Sequence, residues 1–485
     1  MTPATTIQKR HPITFGTDGW RAIMAQDFTF DNVTLVVRAI HQTLLDRWGH
    51  QDKPVFIGFD GRFLGKQFAH HAADILNSLG WDVLMVPHYT PTPLVAFSAK
   101  HYDTAGALML TASHNPPEYM GLKFIPEYAG PATQDITDTI IRHVDRIAEE
   151  ATPLTKAAQT GTTTVVDCYA DYVAFLRNSV DFTALKAANI KLVYDPMYGA
   201  GFGYFDRILR EETSIKPLTI HNRIDPSFGG HLPEPNAAHL GELMARVPAE
   251  GAALGLANDG DADRFGVIDE TGRFLSANQI IPMLARYCYR RKGLRGSVVR
   301  SVATSRLLDA LAEKWGIDCH ETKVGFKHMG AIMRQEPVII GGEEAGGLSI
   351  QTHIPEKDGI LAGLLILEMM AVEKKSLSRI LADTEAEAGV HLIGLAENLH
   401  LSDTAKQALM ASMRRLQAGD LFAKRPITEV VTLEGIKLLF NATDWILVRP
   451  SGTEPIIRVY GETTDPLATQ ELKTAMEALV ASCSA

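Results

Sequence analysis

The 485-residue chain has little cysteine, no excess of positive charge and no long uninterrupted apolar run. Its four cysteines, Cys168, Cys288, Cys319 and Cys483, are scattered, and no pair has metal-ligand or redox spacing. That excludes a disulfide scaffold and reads as thiols in a reducing compartment. With 47 Lys and Arg against 57 Asp and Glu, the formal charge is −10, which leaves no basic footprint for nucleic acid. An anionic ligand would have to be met by a local basic pocket against the overall field. The longest apolar run, Ile360 to Val372, is interrupted by Glu368 and is too short to span a bilayer. The opening "MTPATTIQKRHP" lacks the apolar core of a signal peptide. There is no Walker loop, and "GAGFG", Gly199 to Gly203, lacks the dinucleotide-binding spacing and reads as a strand-to-helix turn. The expectation is a cytoplasmic protein with neither membrane nor nucleic acid as partner.

What is present is a globular composition, 46% hydrophobic with 21% charged residues, in a chain too long for one core. Three stretches share one pattern: "PVFIGFDGRFLGKQFAHHAADILNSLGWDVLMV" from Pro54, "IKLVYDPMYGAGFGYFDRILREE" from Ile190 and "GSVVRSVATSRLLDALAEKWGIDCHET" from Gly296. Each has a β-rich apolar run, a turn and a helix-period segment, which predicts strand–helix units in three α/β domains. "GIKLLF", "WILVRP" and "IIRVYGE", followed by a helix-like tail from Ala468 to Ala481, predict a smaller α+β domain. "AEAGV" near Glu385 reads as the hinge before it.

Chemistry concentrates in a few turns. In "NDGDADRFG", Asp259, Asp261 and Asp263 alternate with small residues. Carboxylates so close repel unless a cation sits among them, and hard oxygen ligands suit Mg²⁺. An EF-hand loop would need a glycine where Arg264 stands, and the flanks read as strands. Arg264 is poised to meet a phosphate on the same ion. "RPSGTEPIIR" offers backbone N–H groups, the hydroxyls of Ser451 and Thr453, and two flanking guanidiniums, Arg449 and Arg458: an inventory for a phosphate monoester. "GGEEAGG" places Glu343 and Glu344 in a glycine-rich loop suited to sugar hydroxyls, and "PEKDG" puts Lys357 in a turn. In "TASHNPPEYMGLKF", Pro116 and Pro117 stiffen the chain after Ser113, which reads as a rigid, exposed hydroxyl. His114 would point away from that serine in extended backbone, which argues against a Ser–His dyad. A phosphate on Ser113 would need a cation and arginines nearby, and the chain supplies both.

These motifs occur in order over nearly the whole chain, accompanied by "FGTDGWR" at Phe15 to Arg21 and "HLPEPN" at His231 to Asn236. Together they resemble the α-D-phosphohexomutase superfamily, most closely its phosphoglucomutase and phosphomannomutase members. The resemblance implies four domains around a central cleft: residues 1–160 with the phosphoserine loop, 161–275 with the metal loop, 276–385 with the sugar loop and 386–485 with the phosphate loop. By resemblance Ser113 is the phosphoserine, and Asp259, Asp261 and Asp263 bind Mg²⁺ with its phosphate. Arg21, His114, Lys123 and Arg264 surround it, and Lys357 is a candidate general base. Lys327 in "VGFKHMG" reaches into the cleft, and Glu343, Glu344 and Ala345 form the sugar loop. Arg449, Ser451, Gly452, Thr453 and Arg458 hold the non-reacting phosphate. The implied reaction is interconversion of glucose 1-phosphate and glucose 6-phosphate through glucose 1,6-bisphosphate, which also serves as activator. A glucose 1,6-bisphosphate synthase, a phosphomannomutase, a phosphatase and a non-catalytic sugar-phosphate sensor are the alternatives, with a monomer or a dimer as assembly. Two departures stand out. Ala345 replaces a serine common in the sugar loop, and Gly347 stands where the phosphomannomutase branch carries a histidine, which tilts the expectation toward glucose with Lys357 as base.

Overall fold

Each of the three repeats folds as its pattern requires. Val55–Phe59, helix Gly65–Ser78 and Val83–Met85 form the first strand–helix–strand unit, with the two strands parallel. Leu192–Asp195, helix Phe205–Glu212 and Leu218–Thr219 form the second, and Ser297–Ser301, helix Leu307–Trp315 and Cys319–Thr322 the third. The computed structural model describes residues 13–16, 18–49, 52–150, 153–450 and 456–484. Among them no helix is long and apolar enough to cross a membrane.

All five residues of Val55–Phe59 and of Gly106–Leu110 are buried, as in parallel strands covered on both faces. The chain then reverses. Tyr119–Pro126 runs antiparallel to Gly106–Leu110 and pairs on its other side with Gly19–Ile23, so residues 111–118 form a loop at the carboxyl end of a parallel strand. The second sheet repeats the device: Leu254–Asn258 is parallel to Leu192–Asp195, and its return strand Phe265–Ile268 is antiparallel, which leaves residues 259–264 as the loop. In the third, Val338–Gly342 lies parallel to Ser297–Ser301 and releases the glutamate pair Glu343 and Glu344 at the same end. Three chemically loaded loops thus leave equivalent strand ends, the usual place for ligands in α/β sheets.

The C-terminal part is an antiparallel sheet in the order Ile393–His400, Ile456–Thr463, Trp445–Pro450, Ile436–Leu439, Glu429–Val431, with helices Asp403–Arg414 and Pro466–Ser484. Its core packs Leu409, Met413, Leu438, Ile446, Val448, Ile457 and Leu472.

By contacts the chain divides into two compact units, 1–275 with 346–377, and 276–345 with 378–485. The return of 346–377 to the first unit has a physical cause in helix Gly359–Glu373. Every residue from Gly359 to Met370 is buried, and the helix packs on the strands Leu254–Asn258 and Phe265–Ile268. A helix apolar all round has to be enclosed. Its one interior acid, Glu368, accepts the backbone N–H of Asp181 at 3.1 Å, where the short helix Phe182–Ala187 begins.

Candidate active site

Ser113 takes a left-handed backbone, φ 50°, and its side chain is buried at 1% exposure. The sequence reading of an exposed hydroxyl is corrected here, because the acidic loop closes over it. A Cβ on Gly260 would lie 2.5 Å from the carbonyl oxygen of Ser113, so only glycine allows the two loops to meet. The hydroxyl donates to Asp259 Oδ2 at 2.9 Å. It also lies 3.3 Å from His114 Nδ1, so the histidine does not point away. The left-handed turn at Ser113 removes the extended geometry on which that expectation rested.

The serine turn is fixed from beneath. Thr111 Oγ1 accepts the N–H of Ser113 at 2.8 Å and donates to Asp60 Oδ2 at 2.6 Å. Arg62 reaches across and donates to the carbonyls of Ser113, Asn115, Pro116 and Tyr119, at 2.7, 2.6, 2.8 and 3.1 Å. Burial pushes the Asp60 carboxyl up to about 6, against the opposing charge of Arg62. Arg21 donates to the Asn115 side chain at 2.7 Å, which brings it to the same turn.

The acidic loop is not a solvated turn. Asp259, Asp261 and Asp263 are each fully buried, and oxygens from all three lie within 4.8 Å of one another. Burial first, then the charges of Asp261 and Asp263, raises the Asp259 carboxyl well above the usual range. Asp261 Oδ1 and Asp263 Oδ1 are buried without a hydrogen-bond partner among the described residues. Three converging carboxylates with two unsatisfied oxygens fit a hard divalent cation. The loop is held by Thr92, which donates to Asp261 Oδ2 at 2.6 Å, and by the N–H of Arg264, which donates to Asp259 Oδ1 at 3.0 Å. The Arg264 guanidinium stands 4.0 Å from Glu234 of "HLPEPN". The Gly199 to Gly203 stretch, read from the sequence as a strand-to-helix turn, supports this loop: Ala200 donates to the Gly260 carbonyl at 2.9 Å, and a Cβ on Gly199 would approach Gly260 to 2.8 Å.

Two ammonium groups balance the acids. Lys123, 3% exposed, lies 2.7 Å from Asp18, 3.0 Å from Asp261 and 3.0 Å from Asp263. Lys357 lies 3.1 Å from Asp263 and 3.4 Å from Asp18. Burial alone would raise the Asp18 pKa, but Lys123, Lys357 and Arg21 hold it well below the usual carboxylate range. Burial lowers the proton affinity of both lysines and the carboxylates overcompensate: Asp18, Asp261 and Asp263 hold Lys123 charged, and Asp18 and Asp263 do the same for Lys357. As placed, Lys357 is an ammonium. The neighbouring Glu356 carboxyl is pushed up to about 8 by burial and by Asp18. Sequence reasoning missed Asp18, Asp60, Arg62 and Thr92. The first lies inside a quoted motif, and "FDGR" after an apolar run was the available signal for the next two.

The second unit holds the remaining candidates. Glu343 accepts the N–H of Gly325 at 2.7 Å, and Glu344 accepts the Ser301 hydroxyl at 2.6 Å. Ala345 follows at partial exposure. Lys327 sits in the first turn of helix Phe326–Met333, which Gly325 precedes. Arg449 and Arg458 are direct partners across two antiparallel strands. Like charges so placed repel, unless an anion bridges them. Glu434 bonds Arg449 through one oxygen and accepts the N–H of Val324 through the other at 2.7 Å, joining that strand to the segment leading into Lys327. Ser451, Gly452 and Thr453 lie outside the described residues.

Comparison with known proteins matches the chain to four family models. They are described as phosphoglucomutase/phosphomannomutase alpha/beta/alpha domain I over residues 12–151, domain II over 170–272, domain III over 276–387, and the C-terminal domain over 398–479. A phosphoglucomutase/phosphomannomutase of Thermococcus kodakarensis is 32% identical over 92% of this chain and 94% of its own. A phosphoglucosamine mutase of Carboxydothermus hydrogenoformans is 30% identical over 94% of this chain and 97% of its own. Among solved structures, one from Thermus thermophilus, named as a phosphomannomutase, superposes with a TM-score of 0.83 at 34% identity, covering 97% of this chain and 99% of the other.

Proposed function

The chain belongs to the phosphoglucomutase/phosphomannomutase family of phosphohexomutases, and we propose that it interconverts glucose 1-phosphate and glucose 6-phosphate through a phosphoserine at Ser113. The family's enzymes are isomerase-type phosphotransferases. The observation that carries the reading is the Ser113 hydroxyl, held in a left-handed turn 2.9 Å from one carboxylate of a buried aspartate triad.

In the first half-reaction the bond between phosphorus and Ser113 Oγ breaks and a bond to the free hydroxyl oxygen of a hexose phosphate forms. The hydroxyl proton passes to a base, and glucose 1,6-bisphosphate results. The sugar turns round, and in the second half-reaction its other phosphoryl group returns to Ser113. Asp259, Asp261 and Asp263 would hold Mg²⁺, which supplies positive charge against the transferring group. Lys123 and Arg21 place further cations on that side, Arg264, bonded to Asp259 through its backbone N–H, would add its guanidinium, and His114 Nδ1 is in contact with the serine oxygen. Lys357 acts as the base once the carboxylates that hold its proton are engaged elsewhere. Glu343 and Glu344 accept from sugar hydroxyls with Lys327 nearby in sequence, and Arg449, Ser451, Gly452, Thr453 and Arg458 retain the phosphate that does not react. The Ala345 side chain offers the sugar no hydrogen bond.

The test is a substrate panel of glucose, mannose and glucosamine 1-phosphates with Mg²⁺ and a trace of glucose 1,6-bisphosphate. Glucose 1-phosphate should give the highest kcat/KM. The 30% identity to a phosphoglucosamine mutase favours a second reading, an amino-sugar substrate, and a higher kcat/KM for glucosamine 1-phosphate would replace the first. Release of free bisphosphate in excess over enzyme, given a phosphate donor, would make the protein a synthase. Intact mass should show a fraction heavier by one phosphate that Ser113→Ala lacks.

A further inference from the structure

Gly347 has no conformational need to be glycine. Its neighbour Gly346 has φ 91°, and a Cβ there would meet the carbonyl oxygen of Phe265 at 2.6 Å, whereas Gly347 is absent from the left-handed glycines. What fills the space beside Gly347 is the stem of Lys357. A Cβ at position 347 would lie 2.8 Å from Lys357 Cγ, closer still to Cδ, and 3.5 Å from its Cβ; these are the three nearest atoms.

We propose that Gly347 is a positioning residue whose missing side chain leaves the channel through which Lys357 reaches Asp18 and Asp263. The inference rests on the assignment of Lys357 to the reaction. The Lys357 backbone cannot yield to a side chain at 347, because its turn is tied to its neighbours. Its N–H donates to the Glu356 carboxylate at 2.9 Å. The next residue, Asp358, donates its N–H to the Leu348 carbonyl at 3.1 Å, which fastens this turn to the residue after Gly347. The Asp358 carboxylate caps the buried helix at the N–H of Leu361 at 2.9 Å, accepts the Tyr172 hydroxyl at 2.5 Å and lies 2.9 Å from His353. With both backbones fixed and the Lys357 side chain 7% exposed, a methyl at 347 has to displace the stem. The ammonium then leaves its places 3.1 Å from Asp263 and 3.4 Å from Asp18.

The test is a double-mutant cycle with Gly347→Ala, Lys357→Ala and the double variant, read in Tm and in steady-state kinetics. Gly347→Ala should lower Tm and reduce kcat by ~10–100-fold with a smaller change in KM, as expected for a displaced reacting group. In the Lys357→Ala background the same change should leave Tm level or raise it, because the methyl enters vacated space in an allowed conformation. Additive Tm effects would overturn the proposal. Should Gly347→Ala alone not fold, recovery of folded protein in the double variant supports it and a non-folding double variant overturns it. Undiminished kcat in Gly347→Ala would overturn the positioning role: if Lys357→Ala loses activity the lysine was not displaced, and if Lys357→Ala also keeps it Lys357 takes no part in the reaction.

Discussion

Arg62 shows how one buried residue can set the geometry of a reacting one. Its guanidinium donates to three carbonyls of the serine loop and to that of Tyr119, where the return strand begins, while Phe228 covers its face, with 4.8 Å to the ring centroid. A lysine retains the charge but not the planar fork, so Arg62→Lys should free the turn without unbalancing it electrically. A displacement of about 1 Å at a reacting atom costs up to ~100-fold in rate, and kcat in Arg62→Lys should fall by that order while the Tm drops. Unchanged kcat would mean the turn holds itself. At the pair proposed to hold the other phosphate, the facing Arg449 and Arg458 predict that Arg458→Gln weakens binding of every hexose phosphate alike, by roughly 1.5–3 kcal/mol for the lost charged hydrogen bond. Inhibition constants for non-reacting sugar phosphates would show this, and a loss confined to one sugar would reassign Arg458 to specificity. The acids of the triad were legible because they alternate within one turn. Asp18, Arg62 and Thr92 were not, since each meets the site through a contact far away in sequence: Arg62 with Ser113, Thr92 with Asp261, and Asp18 with Lys357.

At the scale of elements, the strand–helix pattern was legible in all three repeats because hydrophobic periodicity is local. The loops also carry local marks in glycine, proline and clustered charge. The antiparallel return of Tyr119–Pro126 and Phe265–Ile268 was not, because a buried strand reads alike in either direction. Nor was the enclosure of Gly359–Glu373, whose apolar run excluded a bilayer without saying what would cover it. One element carries a pH dependence. Helix Phe30–Trp48 is begun by Thr29, which accepts the N–H of Asn32 at 3.2 Å, and it buries His41 against Trp81. The Trp81 indole N–H donates to His41 Nδ1 at 2.8 Å, which requires that nitrogen unprotonated. Burial, with Arg38 adding to it, lowers the His41 pKa from 6.5 to about 4. As pH falls below 6.5 the unfolded chain gains a proton that the folded chain refuses, so stability is lost progressively down to about pH 4. The linkage amounts to roughly 2 kcal/mol by pH 5. Urea midpoints between pH 7 and 5 should fall less steeply in His41→Gln; an equal slope would exclude His41 as the source.

On the scale of the whole molecule, the proposed site residues are divided between the two compact units. The first holds Ser113, the aspartate triad, Lys123 and Lys357, and the second holds Glu343, Glu344, Lys327, Arg449 and Arg458. A divalent cation that binds the triad therefore stabilises the first unit directly, by RT ln(1 + [L]/Kd), or ~2.7 kcal/mol at a hundredfold excess over Kd. Hydrogen exchange with and without Mg²⁺ should show this as slower exchange in Gly106–Leu110 and Leu254–Asn258, the strands that carry the two loops. Exchange in Ile436–Leu439 and Ile456–Thr463 of the second unit should stay unchanged in the absence of sugar phosphate. Asp259→Asn should abolish the effect, because it replaces one of the three carboxylates that would hold the cation with a neutral amide. The same substitution should raise the stability of the cation-free first unit, since burial and the charges of Asp261 and Asp263 disfavour the Asp259 carboxylate, while an amide can still accept the N–H of Arg264 and donate to Ser113. Opposite signs for the free and the cation-loaded protein are the signature of a binding site built at the expense of folding. A variant that lost stability in both conditions would show instead that the Asp259 carboxylate serves the fold through its hydrogen bonds with Ser113 and Arg264.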